Sequence, residues 1–348
     1  MVLPDTYTTT LLITILSMIC WGSWANTQKL SGKWRFELFY FDYTFGLLLA
    51  AIVAAYTFGT LGFDGFLFTD DLMRAGRRNL AYGFAGGVVF NLANMLLVAA
   101  ISVAGMSVAF PVGIGLALVI GVVWNYAINP QGNADLLFIG VAVVLVAIVV
   151  DAMAYRIHAG AKAVEEVKAG RTAKLVPKVS WKGVLLSLAS GLLMGAFYPL
   201  VELGKAGDTG LGPYAIAVVF ALGVFVSTFV FNLFFMNLPI QGPPVEILDY
   251  FKGTWKQHLL GLAGGVIWAT GTISNFVAAS ATPEVPVGPA ISYAMGQGAT
   301  LISALWGLLV WREFRDASVR VKLLLALMLL LFAVGLGIVS IAPLYARR

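Results

Sequence analysis

The sequence predicts an all-α integral membrane protein with ten transmembrane helices, arranged as two inverted five-helix repeats. Three observations support this prediction: an apolar composition, two motifs that each occur twice, and an uneven distribution of Lys and Arg among the loops. Of the 348 residues, 60% are hydrophobic and 11% are charged, whereas soluble domains carry about 25% charged residues. Mean hydropathy is +0.89. Most of the chain is therefore expected to lie in the lipid bilayer.

Long uncharged stretches mark the predicted helices, and several approach the roughly 20 residues that cross a bilayer. Because an unpaired backbone group in hydrocarbon costs several kcal/mol, these stretches must be helical. The first stretch has no basic region before it and no cleavage site after it, so we expect it to remain as a helix. The predicted helices cover 9–29, 43–62, 80–103, 105–127, 135–155, 183–202, 212–237, 257–281, 286–310 and 321–342.

The loops between these helices fall alternately on two sides of the membrane. One side receives 16 of the 22 Lys and Arg residues and the other receives 6, which predicts that the first side is cytoplasmic. Both termini are then expected outside the cell membrane. The predicted organisation is a first repeat over 1–155, a basic cytoplasmic loop over 156–182 and a second repeat over 183–348.

Two motifs recur in the same order about half a chain apart. Ala85–Val88 (AGGV) recurs as Ala263–Val266, and Pro111–Gly113 (PVG) recurs as Pro286–Gly288. Because five helices per half is an odd number, the second copy enters the membrane from the opposite side. This is the inverted repeat of secondary carriers, whose substrate site lies near the midplane. The alternative is that Gly-rich apolar helices resemble one another by composition alone.

Uncharged polar side chains inside the predicted helices are candidates for binding a substrate. Hydrocarbon penalises them unless they face a partner or a wet cavity, and their hydrogen bonds suit a neutral hydroxylated or amide-bearing solute. The alternative is hydrogen bonding between helices, which contributes about 0.6 to 2 kcal/mol per contact. The candidates are Asn26, Gln28, Asn91, Asn94, Ser274, Asn275, Tyr293 and Gln297.

Aromatic side chains at comparable depth extend this candidate site. Trp21 and Trp24 lie on the first helix, Tyr198 on the sixth and Trp268 on the eighth, where they offer faces for stacking on a sugar or a planar ring. Other aromatic residues are predicted to form interfacial belts at the helix ends. These are Trp34, Tyr40, Trp181, Tyr250, Trp255 and Trp311.

Few carboxylates lie near the membrane. Glu202 and Glu284 are the candidates for proton coupling, because a carboxylate in a partly dry mouth can exchange a proton. Asp42 and Glu313 are expected to form interfacial ion pairs, and Asp151 lies near the cytoplasmic end of the fifth helix. The first helix has no acid, which argues against efflux of cationic drugs.

The residue inventory limits other functions. Cys20 is the single cysteine, so no internal disulfide forms, and His158 and His258 lie far apart in sequence. We expect no metal site, and no catalytic motif indicates an enzyme. The expected partners are a small polar solute, H⁺ and the lipid bilayer. No cofactor and no nucleic acid is expected, and the protein is predicted to be a monomer or a dimer.

Several segments resemble known transporters. Phe41–Thr44, Gly86–Val89 and Gly105–Val108 resemble ureide permeases, whereas Gly296–Gly298 and Leu305–Gly307 are similar to bacterial glucose/ribose porters and rhamnose/proton symporters. All of these belong to the ten-helix branch of the drug/metabolite transporter superfamily. The resemblance implies an inverted-repeat fold and secondary transport of a small polar solute, often with a proton.

The predicted function is a proton-coupled importer of a small neutral polar solute, with a sugar as the main substrate prediction. The alternatives are a ureide or purine permease and a metabolite exporter of the same superfamily. Two departures from ureide permeases are visible. The first helix contains Gly22–Ala25 (GSWA) where those proteins have GTWP. The phosphate-loop motif G-x-x-x-x-G-K-[ST], which is described for their central cytoplasmic loop, does not occur in this sequence.

Overall fold

The fold consists of ten apolar helices long enough to cross a membrane, as predicted. The structure, a computed structural model, describes residues 1–62, 64–168, 181–239, 243–281, 285 and 287–345, and no strand occurs among them. The helices, numbered α1 to α10 in chain order, are Tyr7–Leu30, Phe36–Tyr56, Arg77–Ala104, Pro111–Ile128, Ala134–Glu165, Trp181–Lys205, Pro213–Asn237, Trp255–Ala278, Pro289–Val310 and Val319–Tyr345.

Four predicted boundaries differ from the structure by more than a turn: both ends of α2, the start of α4 and the end of α5. α2 begins at Phe36, seven residues before the predicted start, because the aromatic residues that precede the uncharged stretch are helical as well. The helix that contains α5 continues to Lys168, so the first part of the predicted basic loop 156–182 is helical. Residues 169–180 of that loop lie outside the described residues.

Helix packing follows a pattern that is unchanged when each helix is exchanged with the helix five places along. α3 packs on α6 and α8 packs on α1; α2 packs on α8 and α7 packs on α3; α4 packs on α6 and α9 packs on α1. The contacts of α2 with α7, α4 with α9 and α5 with α10 map onto themselves. This pattern is consistent with the predicted inverted repeat.

Glycines at corresponding positions allow the closest of these approaches. A Cβ on Gly87 of α3 would overlap the Phe220 carbonyl of α7, and a Cβ on Gly265 of α8 would overlap the Tyr43 carbonyl of α2. Both glycines belong to the recurring AGGV motif. Small residues let helix backbones approach within van der Waals contact in a bilayer, so each copy of the motif serves the same packing role in its own half.

The helices of the centre are interrupted. α1 is divided at Trp24 into the helical segments Tyr7–Ser23 and Ala25–Leu30, although the proline of the ureide permeases is missing there. α9 breaks at Gln297 and ends in a π-helical turn over Trp306–Val310. Because such turns release backbone groups from the regular helical ladder, they often mark functional positions.

The entry to α4 is also irregular. Gly105 closes α3 with a φ of +79°, a left-handed conformation that glycine adopts without steric cost. A π-helical turn over Phe110–Ile114 then contains Pro111. Pro286, its counterpart in the second motif, lies outside the described residues.

The end of the bundle that contains the N-terminus is held by a network outside the membrane-spanning helices. The Asp71 Oδ2 accepts a hydrogen bond from the Gly212 amide at 2.7 Å, and Arg74 contacts the same carboxylate. Burial raises the pKa of Asp71, and the Gly212 and Arg74 contacts oppose this effect. The α-amino group of Met1 donates to the Asp64 carbonyl at 2.6 Å. These contacts join the loops before α3 and α7.

Candidate functional site

Aromatic rings from both halves fill the middle of the bundle. The Trp268 ring of α8 stacks on Trp21 of α1, with centroids 6.1 Å apart and an interplanar angle of 19°. It also contacts Phe90 of α3 at 4.3 Å and Phe220 of α7 at 6.1 Å. The Trp21 indole N–H donates to the Thr272 hydroxyl at 3.0 Å. We call Trp21, Phe90, Phe197, Phe220 and Trp268 the aromatic core; two of the predicted site residues belong to it.

A second group of predicted residues meets beside the aromatic core. The Tyr198 hydroxyl donates to the Asn275 Oδ1 at 2.6 Å, and the Asn275 Nδ2 donates to the Ser17 hydroxyl and the Ser292 carbonyl. Tyr293 lies 5.2 Å from Tyr198, ring to ring. These contacts link α1, α6, α8 and α9. Asn275, Tyr198 and Tyr293 are fully buried.

A third group joins α2, α3 and α7. The Asn91 Oδ1 accepts from the Tyr40 hydroxyl at 2.9 Å, while its Nδ2 donates to Ser227 and Thr228. The Asn94 Nδ2 donates to the same Tyr40 hydroxyl at 3.0 Å. Asn91 and Asn94, three residues apart on α3, therefore share Tyr40 as a common partner. In the present conformation these amides are used in hydrogen bonds between helices.

The remaining predicted residues lie apart from these groups. Trp24 packs on Tyr43 with centroids 4.9 Å apart, and the Asn26 Oδ1 accepts from the Trp311 indole at 2.6 Å. Ser274, next to Asn275 in sequence, lines a separate apolar cavity between α1, α2 and α8. Gln28 and Gln297 are half-buried. The twelve predicted substrate residues therefore do not line one pocket in this conformation.

Two cavities with charged residues in their walls lie at opposite ends of the bundle. We call these ends the basic end, where the loops rich in Lys and Arg were predicted, and the terminal end, which contains the N-terminus. The basic-end cleft, of about 200 Å³, lies between α1, α5 and α9 and is lined by Asn26, Lys29, Asp151, Tyr155, Ser303 and Glu313 among others. The terminal-end cavity, of about 320 Å³, lies between α4, α6 and α8 and includes Asn129, Glu202, Lys205 and Ser280. The aromatic core lies between them.

The predicted proton-coupling residues have different outcomes. Glu202 is 6% exposed, and its Oε1 accepts a hydrogen bond from the Lys205 ammonium at 2.9 Å. It lines the terminal-end cavity. Glu284 lies outside the described residues.

One aromatic residue assigned to an interfacial belt, Tyr40, is fully buried, so that assignment is wrong. α2 begins seven residues earlier than predicted, and Tyr40 lies inside the bundle. Trp311 bonds to Asn26. Tyr250 donates to the Asp42 Oδ1 at 2.5 Å. Trp181 and Trp255 are 73% and 76% exposed.

The contact of Tyr250 belongs to a cluster that the sequence did not reveal. The Asp42 Oδ2 lies 2.8 Å from the His258 Nδ1, and the Tyr250 ring packs against the His258 ring at 4.6 Å. Burial, and then the bond to Asp42, raise the pKa of the Tyr250 hydroxyl, so this hydroxyl remains a donor. The cluster joins α2, α8 and the short helix Ile247–Lys252 at the basic end, where an ion pair with Lys or Arg was expected for Asp42.

The described residues form ten helices long and apolar enough to cross a membrane, with a cavity at each end of the bundle, an arrangement typical of a multi-pass membrane permease. The family model of the ureide permeases matches residues 39–175 and 154–342, which together cover most of the chain. The chain belongs to the ureide permease family and is therefore a membrane transporter.

Individual relatives are similar over nearly the whole length. Ureide permease 1 of Arabidopsis thaliana is 25% identical over 382 aligned positions, which cover 93% of this chain and 94% of the relative. The probable ureide permease A3 of Vigna unguiculata is 22% identical over 80% of this chain and 88% of its own length. A crystal structure of a protein that is 16% identical aligns with a TM-score of 0.56 over 95% of this chain and 96% of that chain, which shows the fold.

Proposed function

We propose that this protein is a secondary active importer of a ureide or a purine-like solute, driven by H⁺. The observation that carries the proposal is the match to ureide permeases along more than nine-tenths of the chain. A sugar, the main substrate prediction from the sequence, has no support in these relatives. The alternative substrate prediction is therefore the one we retain.

The chemistry of the bundle centre suits such a solute. A flat heterocycle with ring N–H and C=O groups would stack on the indole faces of Trp21 and Trp268. The amides of Asn91, Asn94 and Asn275 and the hydroxyl of Tyr198 can both donate and accept hydrogen bonds. In this structure Asn91 and Asn94 bond to Tyr40, and Asn275 bonds to Tyr198. Binding would exchange these bonds between helices for bonds to the solute as the core opens.

The predicted proton coupling and topology remain part of this proposal. Glu202 is the candidate at the terminal end, and Glu202→Gln is expected to stop accumulation against a gradient while exchange of solute continues. We keep both termini outside the cell membrane, the repeat limits 1–155 and 183–348, and a monomer or dimer as proposals.

Uptake into proteoliposomes tests the substrate class. Purified protein is reconstituted, and import of radiolabelled allantoin, uracil and glucose is measured with and without an inward proton gradient. We expect saturable uptake of allantoin or uracil that an uncoupler abolishes. Uptake of glucose alone would contradict the proposed substrate class, and uptake that is insensitive to the uncoupler would contradict the coupling.

A matched pair of variants tests the role of the aromatic core. Trp268→Phe removes part of the stacking face, whereas Trp255→Phe alters an exposed tryptophan at the start of the same helix. We expect Trp268→Phe to raise the KM for the transported solute several-fold and Trp255→Phe to leave it unchanged. Equal KM values for both variants would show that the solute does not contact the aromatic core.

A further inference from the structure

The described residues contain four buried carboxylates, and Asp151 differs from the other three. Asp42 contacts His258 and Tyr250, Asp71 contacts the Gly212 amide and Arg74, and Glu202 contacts Lys205. Asp151 is 7% exposed, and its Oδ1 is enclosed without a hydrogen-bond partner in the part of the chain that the structure describes. Its carboxyl group lines the basic-end cleft.

The charged groups around the basic-end cleft are engaged elsewhere. The Lys29 ammonium lies 2.5 Å from the Glu313 Oε1 and also packs on the Trp311 ring. The Tyr155 hydroxyl donates to the other Glu313 oxygen at 3.4 Å. The His158 Nε2 lies 2.9 Å from the Glu313 carbonyl. Glu313 thus binds both the Lys29 ammonium and the Tyr155 hydroxyl, and neither of these groups forms a hydrogen bond to the Asp151 Oδ1.

The other elements packed on α5 bring no compensating charge to Asp151. α10 carries its two cations, Arg320 and Lys322, in its first turn, and Lys322 lines a different cavity with Arg312 and Arg315. The segment 106–128, which includes α4, has no charged residue. No group of three metal-ligating side chains occurs within the described ranges. A metal cation is therefore not indicated.

A buried carboxylate without a partner is unstable as an anion, because hydration is lost and no attraction replaces it. It becomes neutral by binding a proton, and it ionises again when water enters. We propose that Asp151 is the residue that carries the coupling proton at the basic end. It holds the proton while the cleft is narrow and releases it to water when α1 and α9 move away from α5. This inference rests on the proposed function, since coupling requires transport.

The first test does not require a substrate. The melting temperature of the purified full-length protein in detergent is measured at about pH 5.5 and about pH 8 for the wild type, Asp151→Asn and Asp135→Asn. Asp135 is an exposed acid at the start of the same helix. Because burial opposes the ionised carboxylate, we expect the wild type and Asp135→Asn to lose stability as pH rises, and Asp151→Asn to lose several degrees less. An equal pH dependence in all three proteins would overturn the proposal.

The second test separates proton coupling from solute binding. One pH unit across the vesicle membrane corresponds to about 1.4 kcal/mol and supports roughly tenfold accumulation at one proton per solute. We expect Asp151→Asn to lose this accumulation while counterflow of labelled allantoin or uracil continues. Loss of counterflow in a variant that still melts cooperatively would assign Asp151 to solute binding and overturn the proton role.

The two tests distinguish a failure of the proposed function from a failure of the Asp151 assignment. If the wild type transports none of the probes, the proposed substrate class fails, while the pH dependence of the melting temperature still reports on Asp151. If the wild type accumulates a probe and Asp151→Asn accumulates it equally, the assignment of Asp151 fails and the proposed function stands.

Discussion

Replacing Gly265 or Gly87 by alanine is expected to lower the stability of this protein more than any exposed substitution. Alanine favours a helix by about 1 kcal/mol over glycine, but each new Cβ would overlap a backbone carbonyl of the facing helix. A carbonyl within a helix cannot rotate away as a side chain can. The overpacking cost of about 1 to 3 kcal/mol should therefore exceed the gain in helix propensity, because α8 must move away from α2, or α3 from α7.

Melting temperature in detergent checks this expectation. Gly337→Ala on α10 is the control, because nothing lies within 4 Å of the position of its Cβ. The control should be as stable as the wild type or slightly more stable. If Gly265→Ala and Gly337→Ala had the same melting temperature, that result would contradict the close crossing of α2 and α8. Similar losses for Gly87→Ala and Gly265→Ala are expected, since both positions belong to one recurring motif.

The second large effect is expected for Asn275→Leu. The Asn275 side chain accepts from Tyr198 and donates to Ser17 and to the Ser292 carbonyl, so leucine would leave these groups unpaired. Hydrogen bonds between membrane helices average about 0.6 kcal/mol each, and an unsatisfied buried group costs about 1 to 3 kcal/mol. We expect a loss of several kcal/mol. Asn237→Leu, at an exposed position of α7, is the matched control.

A double-mutant cycle shows whether the Tyr198 bond is the cause. Tyr198→Phe removes the hydroxyl that Asn275→Leu would strand, so the double variant should be less destabilised than the sum of the two single variants. Additive losses would contradict the hydrogen bond between these residues. The cycle also measures how much of the predicted solute site is used to hold α6 against α8.

Much of the fold could be predicted from the sequence, because lipid imposes simple rules. In lipid, a single apolar stretch can satisfy its backbone hydrogen bonds only as a helix. All ten helices could therefore be predicted. The start of α2 was missed because Phe36–Tyr40 combines a charge with aromatic residues typical of an interface. The same error placed Tyr40 in a belt, whereas it is the common partner of Asn91 and Asn94.

The candidate site was less predictable, because depth in the membrane does not specify which face of a helix meets which neighbour. Ser274 and Asn275 are adjacent in sequence, yet they point into different surroundings. Tyr293 and Gln297 were predicted to lie on one continuous helix over 286–310, but α9 breaks at Gln297. Asp151 was recognised as an acid near the end of α5, but only the three-dimensional structure shows that its Oδ1 is buried without a hydrogen-bond partner among the described residues.

Because the chain has a single cysteine, one substitution removes all native thiols, and distances between spin labels on introduced cysteines can then report movement of the helices. Cys20 lies on α1, where its Cβ packs close to Gly271, and Cys20→Ala keeps that Cβ while removing the thiol. Two cysteines placed elsewhere would then be the sole attachment points for spin labels. Gly160 on α5, which has open space around it, and Lys33, exposed after α1, flank the basic-end cleft. The separation of labels at these positions would report whether the cleft widens when solute is added or when the pH is changed.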